Sequence, residues 1–214
     1  MQVIPAINSA DYNEVRGQIK KAARFSKWIH LDVADGKFTK AVLWNEPEKF
    51  NDLGIMCSTL GLNLEVHLMV ENPEDFIEKW FKLGAKRIVV HLEAIKNLDV
   101  FLRYFKTDKL ALAINPETPV NVLWECREKI KIFSILAVAP GWAGQFFNPN
   151  VIDKIKFLRD NVLDAKIEVD GGMNEEKAKL VKEAGADVIT SASYIFTNVD
   201  GLMAEEAYSK LSKI

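Results

Sequence analysis

Cysteine is scarce in this 214-residue sequence: Cys57 and Cys126 are the two present, and they form neither a disulfide framework nor a CxxC pair. Both read as ordinary thiols of a reducing cytoplasm. Neither sign of charge is in excess, since 28 Lys and Arg against 30 Asp and Glu leave a net charge of −2. That balance speaks against a dedicated nucleic-acid binder, which carries a basic surplus. No apolar run approaches the roughly 20 residues that a membrane helix needs. The first residues, MQVIPAINSADYNE, lack the basic start and long apolar stretch of a secretory signal. Linkers rich in Ser and Gly and low-complexity tracts are missing too. A cytoplasmic protein without nucleic-acid or membrane partners is therefore expected. What is present is 49% hydrophobic and 27% charged residues. That is enough for one domain over residues 1–214 with a substantial core.

Two textures alternate along the chain. Short β-branched runs, such as Ile29-His30-Leu31-Asp32-Val33 and Arg87-Ile88-Val89-Val90-His91, give way to amphipathic segments at helical period. Asp11 and Glu14 have capping-box spacing, followed by Val15, Ile19 and Ala22 on one helical face. Asn72-Pro73 opens another helix, with Phe76, Ile77, Trp80 and Phe81 as its apolar stripe. Strands are predicted to begin near residues 2, 28, 63, 87, 109, 132, 166 and 187. Gly84 and Gly185 each sit where a helix should end before the next strand. Repeated βα units imply a parallel sheet. Eight of them in 214 residues fit a (β/α)8 TIM barrel. An open doubly wound sheet is the weaker alternative, because no G-x-G-x-x-G follows the first strand.

Alternation within the strands locates the chemistry. Residues i and i+2 share a face. His30 and Asp32 therefore oppose Ile29, Leu31 and Val33; Glu65 and His67 oppose Leu64, Val66 and Leu68; Glu168 and Asp170 oppose Ile167 and Val169. The apolar sets would face the helices and the polar sets the barrel interior. Interior carboxylates are costly unless paired or bound to a cation. A lone inward histidine is usually a hydrogen-bonded core residue. His30, Asp32, His67 and Asp170 together instead suggest one divalent metal ion, and a mixed N/O set suits Zn, Mn, Fe or Co. Glu65 and Glu168 are candidates to support the ligand imidazoles from behind. His91 and Glu93 repeat the H-x-[DE] spacing and read as supporting or structural.

Three loops follow the sixth, seventh and eighth predicted strands: Pro140-Gly141-Trp142-Ala143-Gly144-Gln145, Gly171-Gly172, and Ala192-Ser193-Tyr194. Each alone is explained by a turn. Together they suit the phosphate site that barrels often build beyond strands seven and eight. Trp80, Phe81, Trp124 and Phe157 read as packing between helices and barrel.

Six stretches in combination resemble the ribulose-phosphate 3-epimerase family over essentially the whole chain. They are Ile29-His30-Leu31-Asp32-Val33-Ala34-Asp35-Gly36, Val66-His67-Leu68-Met69-Val70, His91-Leu92-Glu93-Ala94, Asn115-Pro116-Glu117-Thr118-Pro119, Pro140-Gly141-Trp142-Ala143-Gly144-Gln145 and Glu168-Val169-Asp170-Gly171-Gly172. The resemblance implies a (β/α)8 barrel and a divalent metal held by His30, Asp32, His67 and Asp170. It implies that Asp32 and Asp170 are also the two proton-transfer residues, one abstracting the C3 proton and the other reprotonating the opposite face. A metal-stabilised ene-diolate would lie between the two steps. Gly141, Trp142, Ala143, Gly144, Gly171, Gly172, Ala192 and Ser193 would hold the phosphate of a small sugar phosphate, with Ala6, Ala34 and Met69 lining the pocket. A homo-oligomer is expected.

Some positions differ from the family pattern. Ala6 stands where a serine is usual and Ala34 where a methionine is usual. Ala139 replaces an acidic or amide residue, and the Gly-Phe-Gly-Gly loop has become Gly141-Trp142-Ala143-Gly144. Ala192 stands for a glycine. Metal and proton-transfer positions are intact while substrate-holding ones drift. The loop is also similar to that of the allulose-phosphate 3-epimerase branch. Three readings follow: a pentulose-phosphate epimerase, its six-carbon counterpart, or a phosphosugar-binding barrel without catalysis. The related ketose-phosphate synthases use Asp-x-Lys-x-x-Asp, and Asp32-Val33-Ala34-Asp35 lacks that lysine.

Overall fold

The β-branched runs form eight parallel strands: β1 Gln2–Ile7, β2 Trp28–Asp35, β3 Asn63–Met69, β4 Arg87–His91, β5 Leu110–Ile114, β6 Ile132–Leu136, β7 Lys166–Asp170 and β8 Val188–Ser191. Every start lies within one residue of the expected position. Each strand pairs with the next, and β8 pairs with β1, so the sheet closes on itself. A (β/α)8 barrel results. The structure is a computed structural model and describes residues 1–43, 51–197 and 201–214.

The helices are α1 Tyr12–Ala22, α2 Asn51–Thr59, α3 Glu74–Lys82, α4 Leu98–Tyr104, α5 Val151–Asn161, α6 Glu175–Ala184, the single turn α7 Ser193–Phe196, and α8 Ala204–Ser212. A 3-10 segment, Val120–Cys126, takes the helical place between β5 and β6. Asp11 caps α1, its Oδ1 accepting from the Glu14 N–H at 2.8 Å. The reciprocal half of the box runs through Ser9. The Asp11 N–H donates to Ser9 Oγ at 3.0 Å, and the hydroxyl donates to Glu14 at 2.6 Å. Gly185 ends α6 at φ +113°, a conformation that costs other residues about 1–2 kcal/mol.

The main core lies between barrel and helices. Ile29, Leu31, Val33, Val66, Leu68, Ile88 and Val90 all face it and meet Val15, Ile19, Ile77 and Trp80 from the helices. Burial of this layer is what fixes strand register, because a one-residue slip would turn the outward apolar set inward. Trp124 departs from the expected packing role. It is half-exposed, with the Arg127 guanidinium 3.9 Å from its ring centre. Cys57 and Cys126 are buried free thiols, pushed up to about 11 by burial. Among the described residues no helix is long and apolar enough to cross a membrane.

Candidate active site

The outward apolar set forces its neighbours inward. Register places Asp32 beside His67, His30 beside Glu65, and Asp170 beside Thr190. His30, Asp32, His67 and Asp170 thereby converge from β2, β3 and β7 near the C-terminal strand ends. Each offers a ligand-type atom, all within 4.8 Å of one another. Asp32 Oδ1 lies 3.3 Å from His30 Nε2 and 3.0 Å from His67 Nδ1. His67 Nδ1 is also 3.4 Å from Asp170 Oδ2.

The surroundings of this cluster favour positive charge. Burial alone would make His30 less basic, but Asp32 and Glu65 outweigh it and raise the imidazole pKa well above its usual value. Burial likewise opposes ionisation of Asp32, but His30 and His67 hold its pKa well below the usual carboxylate range. His30 Nε2 is buried and makes no hydrogen bond, while His30 Nδ1 is fixed by Glu65 Oε1 at 2.7 Å. An imidazole held from behind with its other nitrogen facing a carboxylate and making no hydrogen bond is a metal-ligand arrangement. The residues present therefore fit a divalent ion.

His67 is supported by an imidazole rather than by a carboxylate. Its Nε2 lies 2.8 Å from His91 Nε2. Burial and the adjacent His67 lower the His91 pKa, which favours its neutral form. His91 Nδ1 lies 3.5 Å from Glu93 Oε2. Burial would raise the Glu93 pKa, but His91, the Asn115 N–H and the Thr118 hydroxyl bring it to about 2. Glu93 thus ties the His67–His91 pair to the loop after β5.

Glu168 does not hold an imidazole as expected. Arg87, at the start of β4, projects into the barrel and takes both carboxylates. Its Nε donates to Glu65 Oε2 and its Nη2 to Glu168 Oε2 at 3.1 Å. His30, Glu65 and Glu168 form a second converging group, but the guanidinium already supplies the cation there. One positive charge between two carboxylates leaves them unequal. Burial and the Glu65 charge push Glu168 up to about 8, whereas Glu65 lies below its ordinary value.

Above the quartet opens a cavity lined by Ala6, Met69, Asp32 and Asp170, with all three predicted loops at its rim: Gly141–Gly144, Gly171–Gly172 and Ala192–Ser193. Gly141, Gly144, Gly171 and Gly172 have positive φ. Ala192 has an ordinary φ of −101°, so its methyl group brings no left-handed strain. Ala34 does not line this cavity. The two-residue strand Val42–Leu43 pairs antiparallel with Ala34–Asp35, and Ala34 packs with Ala41, Leu43 and Met69. Two further polar side chains reach the carboxylates. Asn8 Nδ2 donates to Asp32 Oδ2 at 2.8 Å, and the Thr190 hydroxyl donates to Asp170 Oδ1.

Comparison with known proteins agrees with this geometry. Residues 2–196 match the ribulose-phosphate 3 epimerase family. A ribulose-phosphate 3-epimerase of Chlamydia pneumoniae is 36% identical over 214 residues, covering 94% of this chain and 90% of that protein. One from Bacillus subtilis strain 168 is 33% identical over 208 residues, covering 94% of each. Among solved structures, a 3-hexulose-6-phosphate synthase superposes with a TM-score of 0.72 at 16% identity, covering 100% of this chain and 99% of that one. The orotidine 5'-phosphate decarboxylase of Pyrococcus horikoshii OT3 gives 0.66 at 14% identity, covering 98% and 97%. At such identities these two show the barrel fold alone. The family match over nearly the whole chain, with the relatives named for the same isomerase activity, shows that the chain belongs to the ribulose-phosphate 3-epimerase family of sugar-phosphate epimerases.

Proposed function

We propose that the protein interconverts D-ribulose 5-phosphate and D-xylulose 5-phosphate by moving the C3 proton between Asp32 and Asp170. The observation that carries this reading is the pair of carboxylates sharing His67 Nδ1, at 3.0 and 3.4 Å, beneath a cavity rimmed by three glycine-containing loops. Inversion at a carbon needs an acid and a base on opposite sides of a planar intermediate. Two aspartates entering from β2 and β7 supply such a pair. One takes the proton from C3 and the other delivers a proton to the opposite face; the reverse reaction exchanges their roles. Main-chain N–H groups of the loops would anchor the phosphate and so orient the sugar chain across the carboxylates.

His30, Asp32, His67 and Asp170 would hold one divalent ion, with Zn, Mn, Fe and Co the fitting choices. When bound, such an ion supplies Lewis-acid stabilisation of the negative charge that develops on the substrate oxygens. Glu65 and His91 keep the two imidazoles turned toward it.

A second reading, epimerisation of allulose 6-phosphate, is favoured by Ala6 at the cavity wall. Side-by-side rates for ribulose 5-phosphate, allulose 6-phosphate and both free sugars separate the possibilities. The pentulose phosphate is expected to react fastest and the free sugars at least tenfold more slowly. Free sugars turning over as well as phosphates would reject the phosphate cradle. In the metal-replete protein, Asp32→Asn and Asp170→Asn should each lose C3 hydrogen–deuterium exchange from a different epimer. Near-wild-type turnover in either variant would reject the two-carboxylate mechanism.

A further inference from the structure

Asp32 and Asp170 are each divided between two environments. Asp32 Oδ1 faces the imidazoles at 3.0 and 3.3 Å, while Oδ2 accepts from Asn8 Nδ2 at 2.8 Å. In Asp170, Oδ2 faces His67 and Oδ1 accepts from the Thr190 hydroxyl. Each carboxylate therefore puts one oxygen into the ligand cluster and has the other held by a neutral donor. Asn8 does more than this. The same Nδ2 donates to the Gly141 carbonyl at 2.8 Å, and Oδ1 accepts from the Ala143 N–H at 3.1 Å. Thr39 holds the same loop independently, its hydroxyl donating to the Pro140 carbonyl at 2.8 Å without touching Asp32.

We propose that Asn8 and Thr190 are positioning residues for the epimerisation, each fixing the oxygen that its aspartate keeps outside the ligand cluster. Asn8 also couples the seating of the Gly141–Ala143 loop to the orientation of Asp32. The proposal rests on Asp32 and Asp170 being the two proton-transfer groups. The physical reason is geometric. A carboxylate bound through one oxygen still rotates about its Cβ–Cγ bond, and a misplaced base loses rate steeply. A donor on the second oxygen stops that rotation. Because the donors are neutral, they do so without cancelling the negative charge that the site uses. Asn8 meets both the loop and Asp32, so a ligand that seats the loop also sets the base.

The test compares exchange of the C3 hydrogen from each epimer in Asn8→Ala, Thr190→Val and Thr39→Val, with metal content measured in all. Asn8→Ala should slow exchange roughly tenfold, as for loss of one hydrogen bond to a charged group, from the epimer that Asp32→Asn silences. It should also raise KM. Thr190→Val should slow exchange from the other epimer and leave KM near the wild-type value. Thr39→Val should raise KM without epimer-selective loss. Metal content should match wild type throughout. Asn8→Asp keeps the shape and the acceptor for Ala143 but places a second carboxylate against Asp32. It should slow exchange from the same epimer as Asn8→Ala, and it reports even where Asn8→Ala does not fold. Equal slowing from both epimers in Asn8→Ala or Asn8→Asp, or loss of metal with either variant, would overturn the proposal. Failure of Asp32→Asn and Asp170→Asn themselves to act on opposite epimers would instead reject the underlying mechanism.

Discussion

Replacement of Glu168 by Gln gives a pH signature set by the barrel interior. Glu168 is fully buried, shares Arg87 with Glu65, and leaves Oε1 without a hydrogen bond. Its pKa is raised to about 8, above an ordinary 4.5, by burial and by the Glu65 charge. The native chain therefore holds a proton that the unfolded chain has released. Stability conferred by that proton is greatest at low pH and is lost as pH rises through 8. Between pH 6.5 and 8 the linkage relation makes this loss about 1–2 kcal/mol. His30, whose pKa is also raised, contributes with the same sign in metal-free protein and keeps its partners Asp32 and Glu65 in the variant. Below pH 6.5 the lowered pKa of His91 intervenes, and well above 8 the two buried thiols do. The informative quantity is thus the difference between wild type and Glu168→Gln within that window. Urea unfolding of chelator-treated protein measures it, with unchanged m-values as the control. The variant should gain about 1–2 kcal/mol on wild type between pH 6.5 and 8. A difference that stays constant across the window would refute the raised pKa and the unequal sharing of Arg87.

Removing a ligand should empty the metal site: His67→Ala should lose most of the roughly one divalent ion per chain expected from a four-ligand cluster, as read by elemental analysis, and full occupancy would refute the ligand set. Gly171 has φ +98°, and a Cβ there would stand 2.4 Å from Val138 Cγ2. Gly171→Ala should cost more than ~1 kcal/mol from the left-handed backbone alone, seen as a lower Tm, and should raise KM for phosphorylated substrates by displacing the rim.

Strand period and the inward placement of His30, Asp32, His67 and Asp170 are legible because each depends on residues within one strand. His30 and Asp32 declare a shared face by their i, i+2 spacing, and Leu64, Val66 and Leu68 declare the opposite face for Glu65 and His67. Arg87 was not legible. At the start of an apolar run it looks like a solvated strand end, and its partners Glu65 and Glu168 lie on β3 and β7. The signal that could have found it is the same alternation, since Arg87, Val89 and His91 share one face. The packing of Ala34 is illegible for a related reason. Its neighbours include Ala41 and Leu43, brought back by a two-residue strand too short to show periodicity.

Asn8 shows the limit most clearly. It lies just past the end of β1, between Ile7 and Ser9, where nothing in the local sequence singles it out. Its meaning comes from closure of the barrel, because β1 pairs with β2 at Ala6–His30 and Ile7–Leu31. Two residues beyond Ala6, Asn8 reaches the inward-facing Asp32 at the strand end. The loop after β6 then arrives from the other side of β1, and one amide group meets both. No window of sequence contains all three partners. Local pattern places the side chains on faces, whereas closure decides which of them meet. Residues that link a catalytic group to a loop from a distant strand belong to the second kind. They are therefore the positions where substitution should alter rate and affinity while leaving the fold and the ligand cluster intact.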